Sequence, residues 1–333
     1  MPARTPRSLR RTVVISCLAG ALVAPALALG GAGAATALGL PPTGISLWHD
    51  LALSNATAKV AHLDTDGLGD IWYYEDKGDD LVRIDHTTHT QTTFDLGVDT
   101  QSTGFAAAPD GSVWYSDYAT MSMVHLDPST GATESFPLPG GRFFPPSELL
   151  VDDSGTLWFA DNAESQLGRI STAGVMTFVP EPTGERIVAL TEGPDGRLWY
   201  TRTGPSTVGA YDPASGVFTT EPGVSTKVDS IAVSSTGDVW LGGINEFTKI
   251  TPGGSTVVFP AIAPGPAFVV PTAMLADDAG GMHFVDSTYG FGTISSTGDI
   301  HFSRLDSYRT DMARDGAGHI WINDLYSSQF VWN

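Results

Sequence analysis

A glycine followed three residues later by a tryptophan returns along this chain at a nearly constant spacing, and that repeat limits the fold more than any other feature. The glycines are Gly69, Gly111, Gly155, Gly196, Gly237, Gly280 and Gly318, separated by 42, 44, 41, 41, 43 and 38 residues. Trp72, Trp114, Trp158, Trp199, Trp240 and Trp321 follow them, with His283 in the tryptophan place of the sixth copy. Each stands in one phrase, as in Asp110-Gly111-Ser112-Val113-Trp114-Tyr115: a tight-turn pair, then a short apolar, aromatic strand. Self-similarity at such a period marks an architecture in which each copy is one supersecondary unit stacked on its neighbours.

Each period divides into four strands. In the second copy these are residues 104–108, 113–116, 122–126 and 132–136, separated by turns such as Pro109-Asp110-Gly111 and Asp127-Pro128-Ser129-Thr130-Gly131. Four antiparallel strands in about 40 residues make one propeller blade. Adjacent apolar pairs such as Trp158-Phe159 suit strands buried on both faces between blades, where a half-solvated strand would alternate. With 38 glycines and little helical periodicity, the expectation is an all-β, seven-bladed β-propeller with four-stranded antiparallel blades. The seventh copy is one strand short at its end. Residues 44–49 resemble the other fourth strands, so residues near 45–51 are expected to complete that blade, the N-terminal strand closing the ring and removing its open edge.

Residues 1–34 read as an export signal: Arg4, Arg7, Arg10 and Arg11, then an apolar run from Val13 to Leu29, then Ala32-Gly33-Ala34. Residues 35–43 form a short linker and 44–333 a single domain. Cys17 is the only cysteine and falls in the signal, so a processed chain has neither disulfide nor thiol chemistry. Of 17 basic and 37 acidic residues, processing removes four arginines, leaving 13 − 37 = −24. Such a surface repels nucleic acid and anionic membrane and favours divalent or cationic ligands, besides keeping the protein soluble. A secreted monomer with no nucleic-acid partner and no membrane insertion is expected.

The phrase Pro-Asp-Gly-x-Leu-Trp-Phe/Tyr, followed by Leu167-Gly168-Arg169-Ile170-Ser171 and a Thr-x-x-Phe strand, resembles the repeat of the streptogramin (virginiamycin B) lyases and, less closely, NHL-type propellers. The resemblance covers nearly all of residues 44–333. It implies a seven-bladed propeller with a ligand site at one end of the central channel. In the lyases a Glu-Pro-His-Gly segment opening a first strand and a Glu ending a second strand hold magnesium and supply a base, which opens the ring of a cyclic depsipeptide antibiotic by elimination. In this chain the places matching that histidine hold Thr103, Ser147, Val188, Asp229, Thr272 and Thr310, and Glu-Pro-His occurs nowhere. Glu181-Pro182-Thr183-Gly184 keeps the outline without the histidine.

Three residues past each tryptophan place stand Glu75, Asp117, Asp161, Arg202, Gly243, Asp286 and Asp324. Radial blades would bring these second-strand ends to the channel mouth. There the five acids, Glu75, Asp117, Asp161, Asp286 and Asp324, suit Mg²⁺ or Ca²⁺ and could raise one another's pKa for acid–base work. Asp at a strand end equally caps its own turn. Asp64-Thr65-Asp66-Gly67-Leu68-Gly69-Asp70, with acids at positions 1, 3 and 7, is a second metal candidate or, lacking the spacing and closing Glu of a calcium loop, an acidic turn between strands. His283 is read as a packed, hydrogen-bonded core histidine, with a catalytic one as the alternative, and His86, His89 and His125 as surface residues of third strands or outer turns. Arg142, Phe143 and Phe144, with Tyr308 and Arg309 and the stretch 264–268, offer aromatic and Arg anchors on the mouth face, or pack upon themselves. Two functions remain open: a non-catalytic propeller binding a small molecule, peptide or envelope partner at the mouth, or a metal-assisted lyase or hydrolase acting on a cyclic peptide or ester.

Overall fold

The computed structural model describes residues 49–53, 58–60, 62–75, 79–97, 104–140, 146, 148–204, 208–221, 228–261, 268–286, 290–304, 310–324 and 329–332. The expected signal and linker lie outside the described residues, as do Arg142, Phe143, Phe144, Tyr308 and Arg309.

The strands form seven four-stranded antiparallel sheets, six of them simple meanders of consecutive strands. In the third blade these are Leu149–Val151, Leu157–Asp161, Gln166–Ile170 and Met176–Pro180. The seventh sheet orders His49–Ala52, Gln329–Trp332, Ile320–Asp324 and Met312–Arg314. His49 stands opposite Trp332 and Ala52 opposite Gln329. Residues 45–48 of the expected closing segment lie outside the described residues.

The recurring glycine has a local cause. All seven take φ between 79° and 93°, a region where any side chain beyond hydrogen is strained. The turn they make, closed in the third blade by Gly155 N donating to the Asp152 carbonyl at 2.9 Å, joins first strand to second. The tryptophan then reaches back over it. The indole N–H of Trp72, Trp158 and Trp321 donates to Asp66, Asp152 and Asp315 at 2.8 Å in each case, while the other oxygen of each carboxylate takes N–H groups of the turn. Asp66 is thus spent on the fold, as expected of an acidic turn. Its carboxyl is nonetheless pushed up, burial outweighing those hydrogen bonds.

Packing explains why strands alternate so little. All five residues of Leu157–Asp161 are buried, whereas the fourth strand Ala132–Pro137 is exposed at five of its six positions. Burial therefore falls from the axis outward. Seven apolar clusters lie one at each contact between neighbouring blades. Trp158 packs on Leu190 and Tyr200 of the next blade, and Trp321 of the last blade packs with Tyr73 and Leu63 of the first. The ring closes through its core.

Candidate ligand face at the channel mouth

Every second-strand end named in the sequence occupies its expected place: Glu75, Asp117, Asp161, Arg202, Gly243, Asp286 and Asp324 are the last residues of their strands. The turns that follow share one face with the loops leading into the next blade. Asn245, in such a turn, donates its N–H to Val269 O at 2.8 Å and accepts from Val269 N through Oδ1 at 2.9 Å. Glu181 N likewise reaches back to Ser165 O at 3.1 Å.

The acids on this face serve the protein that carries them. Asp117 caps its own turn, accepting from Ala119 N at 2.8 Å, Thr120 N at 3.2 Å and Thr120 Oγ1 at 2.5 Å. Asp161 accepts from Gln166 Nε2 at 2.7 Å across its hairpin. Asp286, fully buried, accepts from Val270 N. Glu75 is buried beside the Tyr73 hydroxyl at 3.4 Å. In the first blade Glu75 stands opposite Asp80 and Asp80 opposite Asp95. Burial, then Asp95, Glu75 and Asp79, raises the Asp80 carboxyl above its usual range. Burial also pushes the Tyr115 phenol up to about 12, with Asp117 adding to it.

Sequence reasoning missed the arrangement in the fourth blade. The carboxylate of Glu181 meets Arg202 Nε at 3.1 Å, both side chains almost wholly buried. The Tyr200 hydroxyl donates to the same oxygen at 3.3 Å, while Thr183 N and Oγ1 hold the other oxygen at 2.7 and 2.5 Å. Glu181, the residue closest in outline to the lyase segment, is therefore locked in an ion pair. The non-acidic member of the second-strand series was the signal for its partner.

Among the described residues, one group of three metal-ligating side chains has donor atoms within 4.8 Å of one another, and it contains none of Glu75, Asp117, Asp161 and Asp286. Second strands stand one position out from the axis, so seven equivalent residues there form a wide circle. Thr272 Oγ1 donates to Val285 O at 3.3 Å, and Thr310 Oγ1 accepts from Asn323 Nδ2 at 2.8 Å, so these histidine-matching positions are also tied into their blades. The residues present do not fit the magnesium site that the lyase resemblance implies. The same face instead exposes apolar groups: Phe268 at 65% exposure, Ile244 at 42% and Tyr118 at 38%. Tyr118 and Ile244 each follow a second-strand end directly, which is the signal that could have found them.

The two remaining histidine readings concern other places. His125 lies in the third strand Ser122–Asp127, its ring 4.6 Å from that of Trp114. His283 stacks on Phe291 at 5.6 Å, and burial first, then Arg314, lowers its pKa to about 4. The ring is packed but half-buried, and its Nδ1 finds no hydrogen-bond partner among the described residues, so it is not the hydrogen-bonded core histidine the sequence suggests.

The model of the virginiamycin B lyase family matches residues 42–264. The chain belongs to that family. A virginiamycin B lyase of Nocardia farcinica (strain IFM 10152) is 28% identical over 212 residues, covering 61% of this chain and 67% of that protein. Among solved structures, a catalytically inactive virginiamycin B lyase from Staphylococcus aureus with quinupristin is similar at a TM-score of 0.74 and 20% identity, over 86% of this chain and 98% of that one. A streptogramin B lyase structure aligns at 0.73 and 18%, over 86% and 97%. At these identities the two structures speak for the fold. Within the virginiamycin B lyase family, the departures at the mouth are then properties of this member.

Proposed function

We propose that this protein is a binding member of the virginiamycin B lyase family, which holds a cyclic depsipeptide or a related peptide of the cell envelope at the channel mouth and leaves its ring closed. The observation that carries this reading is the commitment of the mouth's carboxylates. Asp117, Asp161, Glu181 and Asp286 all accept hydrogen bonds from donors of the protein itself. A general base needs a free lone pair within reach of the proton it removes. Binding needs only complementary surface, and Phe268, Tyr118 and Ile244 supply exposed apolar area on the same face. The relative with quinupristin supports the choice of ligand class. The basic and apolar first 34 residues support export, so the ligand would be met outside the cytoplasm.

Calorimetry with quinupristin tests the reading. Saturable binding is expected, weakened about tenfold by Phe268→Ala or Tyr118→Ala, the loss typical of a single aromatic anchor. No heat of binding, or full affinity in both variants, would overturn it.

A further inference from the structure

The face opposite the mouth carries a second cluster, at the junction of the first and last blades. His89 lies in the turn between the third and fourth strands of blade one; Asp315 and His319 belong to the turn between the first and second strands of blade seven. One nitrogen from each imidazole and one Asp315 oxygen lie within 4.8 Å of one another. The surroundings are ordered. Asp315 is buried and accepts from Ala317 N and His319 N through Oδ1, both at 2.9 Å. Its Oδ2 takes the Trp321 indole N–H at 2.8 Å and lies 3.0 Å from His319 Nδ1. A carboxylate on one imidazole nitrogen fixes the ring and leaves the other nitrogen the better metal ligand. Trp332 walls the cluster, its ring 4.2 Å from that of His89 and 4.9 Å from that of His319.

A second, independent observation comes from the repeat. In blades two and four the same turn reads Asp127-x-x-x-Gly131 and Asp212-x-x-x-Gly216, each glycine at φ 71° and bonded through its N–H to the aspartate carbonyl at 2.8 Å. Blade one reads Asp85-x-x-x-His89, with the same bond at 2.8 Å and His89 at φ 57°. A residue with a side chain therefore sits where the other two turns use glycine, in a conformation unfavourable to it. That side chain points into the cluster. His319 is the only histidine among the seven residues that follow the repeat glycines. His86, on the same blade-one turn, is occupied with Asp70 at 2.8 Å.

We propose that this junction binds one borderline-soft dication of the Zn²⁺ type, with the His89 and His319 imidazoles as ligands and Asp315 as the buried carboxylate that orients His319 beside the ion. Two imidazoles and a carboxylate suit zinc, and not the hard, oxygen-seeking magnesium or calcium. Its ligands come from opposite ends of the chain, so the ion staples the ring where closure depends on non-covalent contact alone. Binding the folded ring and not the open chain raises the unfolding temperature by mass action.

The test uses the untagged full chain after dialysis against EDTA. Titration with ZnCl₂ is expected to give one equivalent per chain, and a hundredfold excess over Kd should raise Tm by about 5 °C. MgCl₂ should do neither through this junction. His89→Gly restores the glycine of the sister turns, so it should fold with an undiminished metal-free Tm and lose the zinc response; His319→Gln should lose it too. Absence of binding at millimolar zinc, or wild-type binding by His89→Gly, would overturn the proposal.

Discussion

The ion pair between Glu181 and Arg202 allows a prediction whose size follows from the structure. The two side chains are 0% and 2% exposed, 3.1 Å apart, and the guanidinium also lies 5.3 Å over the Tyr200 ring and donates through Nη2 to Thr220 at 3.1 Å. Arg202→Met keeps the length of the side chain and removes the charge. Glu181 is then left as a buried anion with only the Tyr200 and Thr183 donors, and stranding one member of a buried pair costs about 3–5 kcal/mol. For a domain of this size each kcal/mol moves Tm by roughly 2 °C, so a fall of about 6–10 °C is expected. Glu181→Gln takes the anion from the pair instead and should also destabilise the fold. The double variant removes both charges, and should recover most of the loss, since an uncharged pair of the same shape has little to desolvate. Thermal and urea unfolding followed by circular dichroism at pH 7 measure all four proteins. Arg202→Met within about 0.5 kcal/mol of the parent, or a double variant as unstable as the sum of the singles, would refute the reasoning.

Three further predictions concern the repeat position of the tryptophan. The half-buried ring of His283 has its pKa lowered from 6.5 to about 4, chiefly by desolvation, so as pH falls the unfolded chain takes up the proton first. His283 therefore contributes stability that is fully present above pH 6.5 and lost between 6.5 and 4, on the order of 2–3 kcal/mol. His283→Phe should flatten that limb of the stability–pH curve relative to the parent; parallel curves would refute the assignment. Asp152→Ala leaves the Trp158 indole N–H without its acceptor and should cost about 1–3 kcal/mol in urea unfolding. Conversely, the Trp240 indole N–H has no acceptor among the described residues and Ser234 stands where Asp152 does, so Ser234→Asp should stabilise by about 1 kcal/mol; a loss would refute this.

The fold was legible because its causes are local and repeated. A left-handed turn needs Gly155 or its equivalents, and a strand pressed between two sheets needs Trp158-Phe159, so blade boundaries could be counted from the chain. The same counting placed Glu75, Asp117, Asp161, Asp286 and Asp324 at equivalent strand ends. It could not tell whether they meet, because that depends on how far the second strand stands from the axis. Nor could spacing reveal that Asp117 would turn back on Thr120, or that Glu181 would be neutralised by Arg202. His89 reads as an ordinary turn residue until ring closure sets it against Asp315 and His319 from the far end of the chain. What was missed depends on the closed circle, which no single repeat contains.

The central claim, binding at the mouth without turnover, meets its most direct test in a mass-spectrometric time course. The protein is incubated with quinupristin, with and without Mg²⁺, at a concentration that saturates binding. The account predicts the cyclic compound alone throughout, at its original retention time and with its original fragment ions, in both conditions. Ring-opening eliminates without adding water and leaves the mass unchanged, so the linear product is sought by its chromatographic shift and its fragment ions. Accumulation of that product with Mg²⁺ and not without it would contradict the account and make this chain a lyase.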